Sequence, residues 1–146
     1  LDPFISLYLL EAFLIDGNRL SGTIPNGLGD LTLLGFLALD QNLLSGTVPS
    51  ELGKLTALTV LSLYNNTLSG QLPSEINALT QMTSLFVALT GLTGDVTKLC
   101  AQIADNADLS PSFQADCDEI ICPCCTFCCS PYEECDFVSV TDPFTS

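Results

Sequence analysis

The sequence predicts a solenoid, in which similar short coils stack around one continuous apolar core. The first observation behind this prediction is a set of residues that recurs every 24 positions through residue 99. The second is that 47% of the 146 residues are hydrophobic, which suits a core-bearing domain of ordinary size. The third is that all 8 cysteines lie at or beyond Cys100, where the repeats fade. This distribution indicates a repeat array closed by a cross-linked terminal cap.

The repeat contains an asparagine that is followed two residues later by Leu-Ser-Gly. Three copies have this asparagine at Asn18, Asn42 and Asn66, and a weaker fourth copy has Thr90 there. An apolar triplet precedes each of these positions, at Leu10/Phe13/Ile15, Leu34/Leu37/Leu39, Leu58/Leu61/Leu63 and Met82/Leu85/Val87. So many coincidences at one period argue against four unrelated amphipathic helices.

Each coil is expected to contain a short strand, because apolar residues alternate with outward ones at the end of the triplet. In Leu37-Ala38-Leu39, two side chains would point inward and one outward. Stacked coils would then place their strands side by side in a parallel sheet.

Asparagine is a costly residue to point into an apolar core, unless its amide is hydrogen-bonded. The backbone of neighbouring coils supplies such partners, so Asn18, Asn42 and Asn66 are predicted to form a structural ladder. The glycine of each Leu-Ser-Gly allows a tight bend, and the proline that follows is expected to end the outer segment.

The C-terminal part differs in composition from the repeats. The sequence predicts leucine-rich coils over 1–99, the first of them incomplete, and an acidic Cys-rich cap and tail over 100–146. A helical pattern covers 96–107, and 109–117 is expected to add a final strand whose register Pro111 makes difficult to assign.

Two hypotheses account for the cysteines. Cys125 and Cys128 have the spacing of metal ligands, which indicates a thiolate metal or iron–sulfur site. The even number of cysteines and their terminal position instead favour disulfides, which we expect, together with no bound metal. Adjacent cysteines are expected to bond elsewhere than to each other. The disulfide candidates are Cys100, Cys122, Cys124 and Cys125, together with Cys117, Cys128, Cys129 and Cys135.

Composition excludes several classes of function. With 17 acidic residues against 3 basic ones and a net charge of −14, the chain lacks the basic surface of a nucleic-acid binder. No segment approaches the roughly 20 apolar residues of a membrane-spanning helix. The absence of histidine excludes Ser-His-Asp triads, Cys-His dyads and imidazole-ligated metals. We therefore expect no enzymatic activity and no cofactor.

The repeat motif LxxLxLxxNxLSGxIPxxLGxL, matched from Leu10 to about Leu99, resembles the plant-type leucine-rich repeat family. This resemblance implies a right-handed coil of about four to five turns, with a concave parallel sheet that binds partners. The segment from Cys100 to Cys129, with Asp116-Cys117 and a CxCCxxCC run, resembles the C-terminal caps of leucine-rich repeat proteins of diatoms and related algae. That second resemblance implies a secreted or cell-surface protein.

Outward positions of the predicted strands are free to contact a partner, because they contribute nothing to the core. Several are apolar or aromatic, as protein-binding surfaces are. The alternative is that the Cys-rich cap or a missing N-terminal segment covers Phe86 and Leu89. The candidate binding residues are Leu14, Asp16, Phe36, Asp40, Gln41, Tyr64 and Phe86.

Asn65-Asn66-Thr67 is an N-glycosylation sequon. Asn66 belongs to the predicted ladder, whereas Asn65 is expected to point outward at the edge of the sheet. Asn65 is therefore the candidate glycan carrier in an exported protein.

These observations predict a non-enzymatic extracellular recognition or scaffold module that binds a protein or a glycan through its concave face. One alternative is a building block of a surface or extracellular assembly, which would self-associate through its uncapped N-terminal coil. Another alternative is an ectodomain fragment of a leucine-rich repeat receptor.

Overall fold

The structure is a computed structural model of the 146-residue chain. It describes residues 8–104, 112–116, 118–130 and 133–137. Within these ranges the backbone winds into a solenoid with one β-strand of each coil in the larger sheet and a second strand in the smaller sheet. The predicted solenoid is confirmed.

The larger sheet has seven strands, numbered here by chain position, and its strands up to β11 are parallel. β11 and β12 pair antiparallel at its C-terminal edge. The spatial order along the sheet is β1 (Ala12–Leu14), β3 (Phe36–Ala38), β5 (Val60–Ser62), β7 (Ser84–Phe86), β9 (Ser112–Asp116), β11 (Phe127–Ser130) and β12 (Glu133–Phe137).

The smaller sheet has five parallel strands on the opposite side of the coils. They are β2 (Ser21–Gly22), β4 (Leu43–Gly46), β6 (Thr67–Gln71), β8 (Gly91–Asp95) and β10 (Ile120–Ile121). Short 3₁₀ helices follow three of these strands, at Asn26–Asp30, Ser50–Lys54 and Ser74–Ala78, and the fourth position is taken by the α-helix α1 (Thr97–Ala104).

Proline has a role opposite to the one expected, since it precedes each 3₁₀ helix instead of ending the outer segment. Pro25, Pro49 and Pro73 occupy the N-cap positions with φ of −69°, −66° and −60°. The ring fixes φ near this value, and its missing N–H costs nothing at a helix start, where no carbonyl is available to accept it. The glycine prediction is confirmed, because Gly22, Gly46 and Gly70 bend the chain with φ of 92°, 76° and 82°.

The core runs continuously along the solenoid between the two sheets. The inward triplet Leu34, Leu37 and Leu39 is 0%, 0% and 3% exposed, and Leu58, Leu61 and Leu63 are fully buried. In the first coil the equivalent residues Leu10, Phe13 and Ile15 are only half-buried, and among the described residues they stack against a coil on one side. Burial of the repeated apolar positions therefore depends on stacking, as expected for a solenoid.

Asn42 and Asn66 form an inter-coil ladder of hydrogen bonds, whereas Asn18, the third predicted member, is exposed and bonds to carbonyls of its own coil. The Nδ2 of Asn66 donates to the carbonyl oxygens of Leu39 and Leu63, both at 3.0 Å, and its Oδ1 accepts from the N–H of Leu44 at 3.0 Å. Asn42 repeats the pattern one coil earlier, with Oδ1 accepting from the N–H of Leu20 at 3.0 Å. Each amide thus joins its own coil to the preceding one and satisfies backbone groups that the apolar core cannot.

The outer segments approach so closely that glycine is needed at Gly29. A methyl group there would overlap the backbone carbonyl of Glu51 in the next coil. One coil before the helix, Asn77 occupies the equivalent position, and its Oδ1 accepts from the N–H of Leu99 in α1 at 2.9 Å. This repeat position is therefore glycine where the next coil has a 3₁₀ helix, and asparagine where the next coil has the α-helix α1.

Replacing Asn66 with alanine is expected to lower the free energy of unfolding by about 2–4 kcal/mol, because buried backbone groups of two coils lose their partners. The matched control is Asn18→Ala. Asn18 is exposed, and its bonds to the described part of the chain are to the carbonyl oxygens of Ile15 and Asp16 in its own coil. Its loss should cost below about 1 kcal/mol in the same urea titration. Equal losses for the two variants would contradict the role assigned to the ladder.

Candidate functional site

The outward-facing side chains of the larger sheet form the surface called here the strand face. The strand register aligns them in columns, because each strand pairs with its neighbour in the next coil. One column consists of Ala12, Phe36, Val60, Ser84 and Ser112, and the next of Leu14, Ala38, Ser62, Phe86 and Gln114. Such columns place one side chain per coil at a fixed spacing of about 4.8 Å.

An apolar patch occupies the N-terminal half of the strand face. Leu14 is 60% exposed and Phe36 is 48% exposed. Leu14 lies opposite Ala38, and Phe36 lies opposite Ala12, so the two large side chains are diagonal neighbours across β1 and β3. Diagonal side chains of this size come within contact distance over the small alanines. The patch is therefore continuous, and its two largest members are open to solvent.

The aromatic residues farther along the strand face are less exposed. Phe86 and Tyr64 are half-buried, and the small residues Ser62 and Ala88 are 8% and 0% exposed. The strand register aligns Leu14, Phe36 and Phe86 on the strand face, and Tyr64 follows the end of β5. Leu14 and Phe36 are the most exposed of these side chains.

Acidic side chains border the apolar patch just beyond the strand ends. Asp16 is exposed and Asp40 is half-buried one coil later. The backbone stacks these coils here as well, since the N–H of Gly17 donates to the carbonyl of Asp40 at 3.0 Å. The aligned columns of the strand face contain no lysine or arginine. The N-terminal half of the strand face is therefore apolar with a negative border.

Gln41 and Asn65 lie in a left-handed turn that the sequence analysis did not identify. Their φ angles are 53° and 51°, and Leu89 in the fourth coil has 52°. In this region a residue other than glycine costs about 1–2 kcal/mol. The N–H of Gln41 donates to the carbonyl of Tyr64 at 2.9 Å, so stacking compensates the turn. Both side chains are exposed at the border of the strand face.

The glycine in the first coil was the available signal for this turn. Gly17 occupies the same position as Gln41 and has a φ of 63°. One glycine in a column of otherwise unlike residues is weak evidence on its own, which is why the turn could be recognised only in the structure.

Asp116 is a buried residue whose structural role sequence reasoning missed. It is 4% exposed, and its two carboxylate oxygens accept from the N–H groups of Leu89 and Thr90, at 3.0 and 3.2 Å. Thr90 stands where the ladder asparagine would be, and its hydroxyl donates to the carbonyl of Val87 at 2.7 Å. The carboxylate from β9 thus supplies acceptors at the coil where the asparagine ladder ends.

The described part of the cap contains two disulfides. Cys100 bonds to Cys124 and joins α1 to the segment after β10, whereas Cys122 bonds to Cys125. The expectations that Cys100 anchors the cap and that Cys124 and Cys125 do not bond to each other are confirmed. The side chains of the other predicted disulfide cysteines, Cys117, Cys128, Cys129 and Cys135, lie outside the described residues.

The start of α1 is stabilised by Asp95. The N–H of Thr97 donates to its Oδ1 at 2.7 Å. Hydrogen bonds from the side chain and then the backbone of Thr97 lower the pKa of this exposed carboxyl below its ordinary value. The resulting contribution to stability is present above the ordinary pKa and is lost as the pH falls through the lowered one.

Comparison with known proteins gave matches to one family model and to solved structures. The model of the leucine rich repeat matches residues 9–31 and 57–79. No curated protein sequence matched the chain. No described helix is long and apolar enough to cross a membrane.

Three solved structures illustrate the structural similarity. The BIR2 ectodomain from Arabidopsis thaliana is 36% identical over 59% of this chain and 45% of its own, with a TM-score of 0.56. The plant peptide hormone receptor RGFR1, solved in complex with RGF2, is 31% identical over 72% of this chain and 17% of its own, with a TM-score of 0.62. A plant ice-binding protein is 31% identical over 73% of this chain and 33% of its own, with a TM-score of 0.63. The chain spans less than half the length of each.

The Asp116→Asn variant tests the carboxylate at the end of the ladder. An amide offers one acceptor in place of two, so we expect a loss of about 1–3 kcal/mol in the free energy of unfolding. Amide hydrogen exchange at Leu89 and Thr90 should accelerate with it. Asp118→Asn, at an exposed position two residues later, is the control and should leave both unchanged. Unaltered exchange in Asp116→Asn would disprove the assigned contact.

Proposed function

Because the chain belongs to the plant-type leucine-rich repeat family, we propose that it is a non-enzymatic recognition module that binds a protein segment on its strand face. The observation that supports this proposal most strongly is the exposed apolar patch of Leu14 and Phe36 on the aligned strands. Similar structures support it as well, since RGFR1 was solved in complex with RGF2 and PEPR1 with AtPEP1. The lack of histidine in the whole sequence supports a non-enzymatic role.

The apolar patch has the character of a binding anchor. Complete burial of a leucine or phenylalanine side chain stabilises a contact by about 1.5–3 kcal/mol. Two such side chains at diagonal positions would supply the apolar centre that protein interfaces concentrate in a few residues. Because Ala12 and Ala38 are small, a partner's side chain can pack over them against Leu14 and Phe36.

The charge of the surface defines the partner further. Asp16 and Asp40 border the patch, and the whole chain has a net charge of −14. A partner with an apolar residue flanked by lysine or arginine would be attracted at long range and would place its cations against these carboxylates. We therefore favour a basic, partly apolar protein segment over a neutral glycan.

We expect selection from a random peptide display library to recover peptides that combine an apolar anchor with flanking basic residues. Phe36→Ala should weaken binding of a selected peptide by about 10-fold or more, because it removes a central anchor. Leu33→Ala is the matched control, since Leu33 is 50% exposed but lies outside the strand columns. Calorimetry or fluorescence anisotropy measures both. Equal affinity for the two variants, or failure to select any peptide, would contradict the proposal.

An extracellular location is part of the same proposal. It is supported by the disulfides of the cap and by the likeness to receptor ectodomains. Asn65 would then carry a glycan, since it is exposed at the border of the strand face, whereas Asn66 is 7% exposed and bonded to the backbone. A glycan there would direct partners toward Leu14 and Phe36. The likeness of the Cys-rich end to algal caps stays a prediction.

Expression through a eukaryotic secretory pathway should produce a protein whose mass falls on treatment with an N-glycanase. Asn65→Gln and Thr67→Ala should both abolish this shift, whereas Thr67→Ser preserves the sequon and should retain it. Intact-mass spectrometry measures the difference. A secreted wild-type chain with no glycan would refute the assignment of Asn65.

A second candidate function is a building block of an assembly. It is favoured by the inward residues of the first coil, Leu10, Phe13 and Ile15, which are only half-buried. The residues at the equivalent positions of later coils are buried. Self-association through this end would make the sedimentation coefficient rise with protein concentration. Phe13→Asp should abolish this concentration dependence. A concentration-independent monomer would exclude it.

A further inference from the structure

Two disulfides of the cap lie directly against each other. The sulfur atoms of Cys100, Cys122 and Cys124 all lie within 4.8 Å of one another. Cys100 and Cys124 are bonded together, so Cys122 Sγ approaches both sulfurs of a bridge to which it does not belong. Its own bridge, to Cys125, closes a short ring of a C-x-x-C sequence, with a sequence separation of 3. A free thiol at Cys122 would therefore stand next to an intact disulfide.

The four cysteines differ in their access to solvent. Cys100 is 6% exposed and Cys125 is 4% exposed, whereas Cys122 and Cys124 are both half-buried. A dissolved thiol attacks the sulfur that it can reach. Within the Cys122–Cys125 bridge that sulfur is Cys122, and the displaced group is the buried Cys125.

We propose that Cys122 is the nucleophile of a thiol–disulfide exchange site that accepts dithiol reductants and transfers the attachment of α1 from Cys124 to Cys122. This inference is independent of binding at the strand face. It requires only the reductant named here and the two disulfides of the cap.

The reaction proceeds in three balanced steps. A thiolate of the dithiol attacks Cys122 Sγ, the Cys122–Cys125 bond breaks, and Cys125 leaves with the electron pair and takes a proton. The second thiol of the reductant attacks its partner sulfur in the mixed disulfide, which releases Cys122 as a thiolate and the reductant as a cyclic disulfide. The Cys122 thiolate then attacks Cys100 Sγ, which forms Cys100–Cys122 and displaces Cys124. The third step consumes no electrons.

Cys100 is the favoured target in the last step for a geometric reason. A Cys122–Cys124 bridge would have to close across Pro123 alone, and disulfides require a narrow range of Cα separations and directions. Cys100 lies on α1, a separate element, so its bond to Cys122 does not require so small a ring. The exchange moves the covalent attachment of α1 two residues toward β10 and leaves Cys124 and Cys125 as thiols.

Two variants test the exchange without any reductant. Cys125→Ser leaves a single thiol at Cys122, beside the Cys100–Cys124 bridge. Cys122→Ser leaves a single thiol at Cys125, which is outside the three-sulfur cluster. After incubation near pH 8, where a useful fraction of a thiol is ionised, free thiols are alkylated and all eight cysteines are mapped by mass spectrometry.

In Cys125→Ser we expect the label to divide between Cys122 and Cys124, and in Cys122→Ser to stay on Cys125. Label on Cys122 alone in the first variant would overturn the proposal.

The wild-type protein gives a second readout that does not depend on the folding of a variant. After limited reduction with dithiothreitol and acid quenching, label should appear on Cys124 and Cys125. Label confined to Cys122 and Cys125, or to Cys100 and Cys124, would show reduction without exchange.

Discussion

The backbone of this solenoid depends on the buried amides of Asn42 and Asn66 in its two central coils. An apolar core of stacked leucines offers no partner for the backbone groups that turn inward between the two sheets, and each unpaired group would cost about 1–3 kcal/mol. Asn42 and Asn66 each bond to their own coil and to the preceding one, so one side chain supplies hydrogen-bond partners to several backbone groups. The inter-coil spacing follows from these bonds and from the parallel strand register.

The parallel strand register also aligns the outward side chains of the larger sheet into one surface, the strand face. Because each strand aligns with the next at an offset of 24 residues, one outward side chain per coil repeats at the same place. The core makes no demand on these residues, so Leu14 and Phe36 occupy exposed positions where a solvated sheet would have polar ones. The fixed register of the strands and the freedom of the outward positions are the physical basis of the recognition that we propose for the strand face.

The sequence predicted the features that follow from repetition. The strands, the inward leucines, the asparagine ladder and the glycine bends all recur at one period, so each copy supports the others. The features that the sequence did not predict lie where the repeats end or where the repeat pattern carries no information about them. The offset between β7 and β9 grows to 28 residues because α1 replaces a 3₁₀ helix, which hid the role of Asp116. The left-handed turn at Gln41 depends on backbone stacking, and the disulfide partners depend on distances that no spacing in the sequence determines.

Hydrogen–deuterium exchange of the chain with and without a display-selected basic peptide tests most directly whether the strand face binds partners. A peptide seated on the patch should slow exchange in β1, β3 and the turns after them, around residues 12–16 and 36–41, and should leave the 3₁₀ helices unchanged. Protection confined to the 3₁₀ helices at Asn26–Asp30 and Ser50–Lys54, with none in β1 or β3, would contradict recognition on the strand face.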